Sequence, residues 1–332
     1  MSDRLHVRAP GRVNLIGDHT DYTGGLVFPM CIDRWTHIDF AVGGDRVALR
    51  SADEPAPIDI ALPFDADPAT VEPRWGRYVA AVAAEIPHAR GITGDVSTTI
   101  AVGAGLSSSA ALEVACGVAL GFDGTPLDLA LLARRAEHLA TVVPTGIMDQ
   151  LCIASGVTGH AMLIDCHTFD VAHTPVPDGI EMVVRFVVHR TLEGSEYSER
   201  VAQCAAAEAI VGPLRTATVA DLDRIDDELV RSRARHVVTE NDRVRAFSAA
   251  LAAGDFDVAG EIMLDGHRSL RDDFGTSTPV MDAAVEEMRA VPGVLGARMT
   301  GGGFGGCVVA ICRPGTPLDG WLVRPVAGAA YT

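Results

Sequence analysis

Between residues 4 and 50, apolar positions alternate with polar ones or fall in short runs broken by glycine. That period of two predicts a strand-rich start. Prolines interrupt 53–73, which predicts loop with a short strand at 58–62. From 75 to 86 the period becomes helical, with Tyr78, Val79, Val82 and Ala83 on one face. A strand is predicted at 96–102, then helices at 107–121 and 127–142, the first apolar enough to be buried. Another helix is predicted at 148–155, and a strand at 181–189. Helical patterns follow at 196–211, 240–253, 255–271 and 279–291, then strands at 297–300 and 307–312 around a glycine run. Turn residues and two prolines near 165–180 mark the best boundary. It separates a mixed α/β part, 1–175, from an α+β part, 176–332. A ligand is expected in the cleft between them.

The 332 residues, 48% hydrophobic and 21% charged, fit an ordinary globular protein with ample core. No apolar run approaches membrane-spanning length, and the first residues hold no apolar signal segment. The seven scattered cysteines form no C-x-x-C and read as reduced thiols, so a cytoplasmic location with no membrane partner is expected. A net charge of −17 opposes nucleic-acid binding, which needs a basic footprint. Lysine is absent, and all 27 basic residues are arginine. Lysine-based phosphate binding, Schiff-base chemistry and lysine general bases are therefore excluded. Phosphate charge must be met by arginine, backbone N–H groups, helix N-termini or a metal ion.

Three segments carry candidate chemistry. Residues 8–25, RAPGRVNLIGDHTDYTGG, crowd Arg12, Asp18, His19 and Asp21 together. Such side chains can hold the donor–acceptor hydroxyls of a sugar, although DYTGG is equally good surface-turn material. Residues 102–116, VGAGLSSSAALEVAC, run from a strand through Gly103 and Gly105 into three serines and an alanine-rich helix. Glycines allow close backbone approach, serines cap the helix, and its N-terminus attracts anions. The alternative is a purely structural capped helix. A Walker loop is excluded by the missing lysine, and a dinucleotide fingerprint would need a third glycine at Ser108. Residues 299–307, MTGGGFGGC, hold five glycines, either for backbone approach to phosphates or for a tight inter-strand turn.

Two acids stand out. Asp149 follows a Pro-Thr-Gly turn at a helix start, where the dipole alone would favour it, or it is aimed at a reacting hydroxyl. Glu137, within RRAEHLA, is either on a solvated face or a metal ligand beside a hydroxyl and phosphate oxygens.

The chain resembles the GHMP small-molecule kinases, and within them the galactokinase family. The resemblance rests on PGRVNLIGDHTDYTGG (10–25), VGAGLSSSAALEVA (102–115) and RMTGGGFGGC (298–307). Galactokinase-like segments also stand at GIMDQL (146–151), RTLEGSEYSERVAQC (190–204), RARHVVTEN (233–241) and GHRSLRDDF (266–274). It implies an α+β, two-domain GHMP kinase fold, with an N-terminal ribosomal S5-like α/β domain and a C-terminal ferredoxin-like domain. It implies an ATP-dependent sugar 1-kinase using Mg2+, with galactose the leading acceptor and a monomer or weak oligomer as the assembly.

By position, the resemblance implies that Arg12 sits near the transferring phosphoryl group and that Asp149 is the catalytic carboxylate. Asp18, His19, Asp21, Gly146 and Tyr197 would hold the sugar. Gly103, Gly105, Leu106, Ser107, Ser108 and Ser109 would cradle ATP phosphates, Ser109 and Glu137 would meet Mg2+, and Trp75 would lie near adenine. Asp18 stands where most of the family carries glutamate, which keeps N-acetylgalactosamine or arabinose open as the acceptor. A non-catalytic galactose sensor is a further alternative, although such relatives carry a damaged phosphate loop and this one is intact. The segment after residue 312 is too short for a full helix before its last strand.

Overall fold

The computed structural model describes residues 4–141, 143–189 and 195–332. The predicted motif at 190–204 therefore has its first five residues, 190–194, outside the described residues, as is 142 at the end of one predicted helix.

The chain begins with β1 (Leu5–Asn14), β2 (Leu26–Val27), β3 (Pro29–Val42), β4 (Arg46–Ser51) and β5 (Ile58–Ala61). Then come α1 (Trp75–Glu85), β6 (Ile92–Thr98), α2 (Ser108–Ala119), α3 (Pro126–Thr141) and α4 (Met148–Ser155). The strands β7 (His160–Asp165), β8 (Val171–Pro175) and β9 (Glu181–Val188) lead to α5 (Ser195–Val211), α6 (Glu228–Ala253), α7 (Phe256–Ser269) and α8 (Pro279–Arg289). The chain ends with β10 (Val294–Thr300), β11 (Gly306–Cys312), β12 (Trp321–Val323) and β13 (Ala330–Tyr331).

Among the described residues these strands form three sheets. The largest runs β13-β1-β3-β6-β4-β5, the second β10-β11-β9-β12 and the smallest β2-β7-β8. Only β4 with β6 is parallel among the described pairs. The alanine-rich α2 lies on β1 and β3, its small Ala110, Ala111 and Ala115 buried so that the helix can approach the sheet closely. The N-terminal cap of α6 is Asp227, whose carboxylate accepts the amides of Leu229 and Val230. One apolar cluster joins Val7, Phe28 and Leu49 to Met182, Phe247 and Val309, and so spans early and late parts of the chain. A second lies under the four-stranded sheet around Leu270, Phe274, Met281 and Met299.

Several boundaries differ from the sequence pattern. The strand predicted at 96–102 lies at Ile92–Thr98, where Ile92, Gly94 and Val96 are buried and alternate with polar residues facing out. Residues 99–107 leave the sheet to build the glycine loop instead. The helix predicted at 240–253 is α6, twelve residues longer at its start, because polar residues at 228–239 hid a buried stripe of Ala234, Val237 and Val238. Within the boundary region, 171–175 form β8, a hairpin partner of β7. After residue 312 come only the short strands β12 and β13 among the described elements, as the short tail implied.

A bulge between Pro10 and Gly11 shifts the β1–β3 register immediately before Arg12. The Arg12 amide donates to the Leu106 carbonyl at 3.2 Å, which ties β1 to the glycine loop. At the end of β1, the Asn14 amide donates to Thr300 Oγ1 at 3.1 Å, and that hydroxyl donates back to the Asn14 carbonyl at 2.8 Å. The large sheet is thereby joined to β10 of the second.

Beside that junction lies a buried ion network. Arg298 of β10 is 0% exposed. It donates to Asp18 Oδ2 and to Glu240 Oε1, both at 2.8 Å. Glu240 also accepts from Arg243 at 2.6 Å and from the Gly17 amide at 2.9 Å. Burial opposes the charge on Glu240, yet Arg298 and Arg243 hold its carboxyl well below the usual range. Replacing Arg298 with methionine leaves two buried carboxylates without their shared cation. The expected loss is about 3–5 kcal/mol of unfolding free energy, read from urea melts with an unchanged slope. A change under about 1 kcal/mol would mean that the network does not hold the junction.

Candidate active site

Arg12 and Asp149 stand at the centre. Arg12, 4% exposed, donates from Nε to Asp149 Oδ1 and from Nη2 to Asp149 Oδ2, each at 2.7 Å. This two-pronged geometry suits a planar guanidinium and fixes both side chains. Its third arm donates to the Gly105 carbonyl at 2.6 Å. Asp149 is in the first turn of α4, where the helix dipole favours an anion. It is 28% exposed, so the pair opens onto the pocket.

The loop before α2 uses its serines differently from the expected cap. Ser107 is the cap position, but no side-chain capping bond is present. It sits in the left-handed region at φ 63, unusual for a non-glycine residue, and its hydroxyl donates to Asp149 Oδ2. The helix N-terminus is thus left free for another anion. Gly103 and Gly105, at φ 74 and 79, supply the left-handed turns that bring the loop round.

Glu137 faces the same space from α3. Its carboxylate accepts from Ser109 at 3.1 Å, Thr145 at 2.9 Å and Gln150 at 2.8 Å. Burial raises its carboxyl, nearby Asp149 adds to this, and the three donors oppose it. It therefore does not lie on a solvated helix face. Gln150 also donates to the buried Glu113 at 3.2 Å.

The first glycine-flanked motif forms the opposite wall. Asp18 is buried, and Gly301 N–H donates to its Oδ1 at 2.9 Å while Arg298 holds Oδ2. His19 lies between Phe274, at a ring separation of 4.6 Å, and Tyr197, at 5.7 Å. Asp21 sits against Gly146, where any Cβ would collide with its carboxylate. Burial, and then repulsion from Asp149, raise the Asp21 carboxyl to about 7.

These groups line one cavity of about 400 Å³, which brings together Arg12, Asp18, His19, Asp21, Gly103, Gly105, Ser107, Ser108, Ser109, Glu137, Gly146, Asp149 and Tyr197. Two predicted residues lie elsewhere. Leu106 is 1% exposed, packed in the core, and offers only its backbone. Trp75 lines an adjoining cavity of about 150 Å³ with Tyr78, Ser108 and Ser109, its indole N–H donating to the Ala56 carbonyl at 3.0 Å. Sequence reasoning missed Thr145, Gln150 and Phe274. Thr145 and Gln150 flank the GIMD segment, a usable signal, whereas Phe274 arrives through a π-helical turn that no pattern announces.

Family models match along the chain. The model described as "Galactokinase galactose-binding signature" matches residues 2–41, "GHMP kinases N terminal domain" 76–157, and "GHMP kinases C terminal" 247–319. Together with the site they define the class, a GHMP kinase fold. A galactokinase of Chloroflexus aggregans is 39% identical over 350 aligned residues, covering 97% of this chain and 87% of the relative. A galactokinase of Homo sapiens is 41% identical over 331, covering 92% and 83%. The crystal structure of Lactococcus lactis galactokinase complexed with galactose superposes with a TM-score of 0.91 at 30% identity, covering 99% of this chain and 95% of that one. The chain belongs to the galactokinase family.

Asp21 generates a stability prediction. Its folded carboxyl titrates near 7, above the unfolded value of 3.8, so its contribution is fully present below about 4 and is lost as pH rises through 7. Asp21→Asn should therefore melt with the parent near pH 4 and above it at pH 8, the gap opening between. Parallel melting curves at all pH values would show that Asp21 is not a strained carboxylate.

Proposed function

We propose that the chain transfers the γ-phosphoryl group of ATP to the anomeric hydroxyl of galactose, giving galactose 1-phosphate and ADP. The observation that carries this reading is the bidentate Arg12–Asp149 pair, placed between a helix N-terminus free for phosphates and a wall of sugar-compatible polar groups.

In this scheme Gly103, Gly105, Ser107, Ser108 and Ser109 face the phosphates. Leu106 contributes its backbone, which keeps Arg12 in register. Trp75 and Tyr78 would flank the adenine in the adjoining cavity. Ser109 and Glu137 form a hard-oxygen pair of the kind that binds Mg2+ together with phosphate oxygens and water. When bound there, Mg2+ would neutralise phosphate charge. Asp18, His19, Asp21, Gly146 and Tyr197 would hold the sugar. The division near residue 175 goes with this reading, since the cavity takes residues from both sides of it.

Phosphoryl transfer has a loose transition state, so positioning and charge stabilisation do most of the work. Arg12 would stabilise charge on the moving phosphoryl group. Asp149 already accepts from Arg12 at both of its oxygens. It would orient the hydroxyl and accept its proton late, once the bond forming between the hydroxyl oxygen and phosphorus has made that proton acidic. A related acceptor, such as N-acetylgalactosamine or arabinose, stays within the scheme because both Asp18 oxygens already have protein partners.

The first test is ADP release from MgATP with galactose, N-acetylgalactosamine, glucose and arabinose. Galactose should give the fastest turnover, and Asp149→Ala should abolish it. Turnover with another sugar alone would move the substrate and leave the mechanism, whereas sugar binding without turnover would favour a sensor. Asp149→Asn should lose ~100-fold or more in kcat while calorimetry still detects galactose binding. A folded Asp149→Asn protein that no longer binds sugar would contradict this role.

A further inference from the structure

Arg200 stands three residues after Tyr197 on α5, on the same side of the helix. It is 9% exposed and takes no part in the scheme above. Its main partners are backbone carbonyls. Nε donates to Phe274 O and Nη2 to Gly275 O, both at 2.9 Å. Its only recorded carboxylate neighbour among the described residues, Glu199, is 3.9 Å away. The guanidinium also lies 5.5 Å from the ring centre of Phe304, inside the glycine run. Gln203 Oε1 accepts from Arg200 at 3.5 Å and from Arg233 at 3.2 Å, and Arg233 donates to the Asp273 carbonyl at 2.6 Å.

These carbonyls close the π-helical turn Leu270–Phe274, at an end where helix carbonyls collect partial negative charge. Phe274 of that turn packs on His19, which also faces Tyr197. The Phe304 amide donates to the Thr276 carbonyl at 2.8 Å, so the glycine run is tied to the residues just after the turn. One guanidinium thus meets the helix bearing Tyr197, the turn bearing Phe274 and the loop bearing Phe304.

We propose that Arg200 is a positioning residue for the sugar side of the pocket, fixing Tyr197 and Phe274 against His19 through the turn carbonyls and Phe304. The proposal rests on the sugar-kinase reading and deepens it. Arg200 touches no reacting atom. The role calls for arginine because its planar fork donates to two successive carbonyls while its charge stays 5.5 Å from a ring, and lysine, a single point charge, cannot reproduce that fork.

Arg200→Lys and Arg200→Ala test this, with sugar and MgATP varied separately and sugar binding followed by calorimetry. Arg200→Lys should still unfold cooperatively. Its KM for the sugar should rise ~10–100-fold, as sub-ångström to 1 Å misplacement predicts, with the KM for MgATP changed less than about threefold. Millimolar guanidinium ion should partly restore sugar affinity in Arg200→Ala. A lowered melting temperature with unchanged KM values, equal rises in both KM values, or no rescue would each overturn the proposal. If the parent binds a sugar without turning it over, the kinase reading fails, and weaker binding by Arg200→Lys still upholds this one. If the parent binds no sugar of the panel, both fail.

Discussion

The buried guanidinium of Arg298 is the constraint on which the rest of the site depends. It lies where β10, α6 and the loop after β1 converge, and it bonds a carboxylate from each of the other two. Removing three such charges from water is costly, and attraction in the interior offsets that only when the geometry is complete. Here it is nearly so: Asp18 also takes the Gly301 amide, and Glu240 also takes Arg243 and the Gly17 amide. The network therefore joins the sugar-motif loop to the glycine run with little slack. Asp18 follows from this as a double-purpose residue, its oxygens holding the wall together while its edge lines the cavity.

The absence of lysine shapes the phosphate side in the same way. Without an ammonium group, the protein's own attraction for anions at this pocket rests on Arg12 and on the N–H groups at the start of α2, with a bound cation the one further source. That helix start is kept free by an unusual device. Ser107 adopts a left-handed conformation and gives its hydroxyl to Asp149 rather than capping its own helix. A non-glycine residue held this way costs on the order of 1–3 kcal/mol. The hydrogen bond to a charged acceptor offsets part of that cost, and the strain aims the loop at the Arg12–Asp149 pair.

Much of this was legible in the sequence, and the rest was hidden for physical reasons. The three motifs could be read because glycine, serine and acid spacing are local signals, while the α+β kinase class and most of the pocket residues, Gly146 and Tyr197 among them, came through the family resemblance those motifs carry. Glu137 was the hardest of these. A helical glutamate is ordinarily solvated, and only tertiary partners, Ser109, Thr145 and Gln150, make it a half-buried residue turned into the pocket. Arg298 looked like a flank of the glycine run, because no local pattern marks an arginine for complete burial. The start of α6 is hidden because its apolar stripe is interleaved with arginines, and nothing local in the serine loop shows that the Leu106 side chain packs into the core.

The charge pattern of the pocket completes the argument. Asp149, Glu137 and Asp21 converge on a cavity where, among the described residues, the lining arginine is Arg12. Raised carboxyls at Asp21 and Glu137 record that crowding, since each carries a contribution from Asp149 besides its own burial. Such an arrangement is unfavourable for the free fold and is held only because the scaffold around it is rigid. In the proposed scheme it would become favourable when ligand groups arrive that use these oxygens, hydroxyl donors at Asp21 and Asp149 and a cation at Glu137. The acidity that opposes folding locally is thus the same property that, in that scheme, would equip the site for a polyhydroxyl acceptor and a cation-bound phosphate donor, and the Arg298 junction supplies the rigidity that lets the chain keep it.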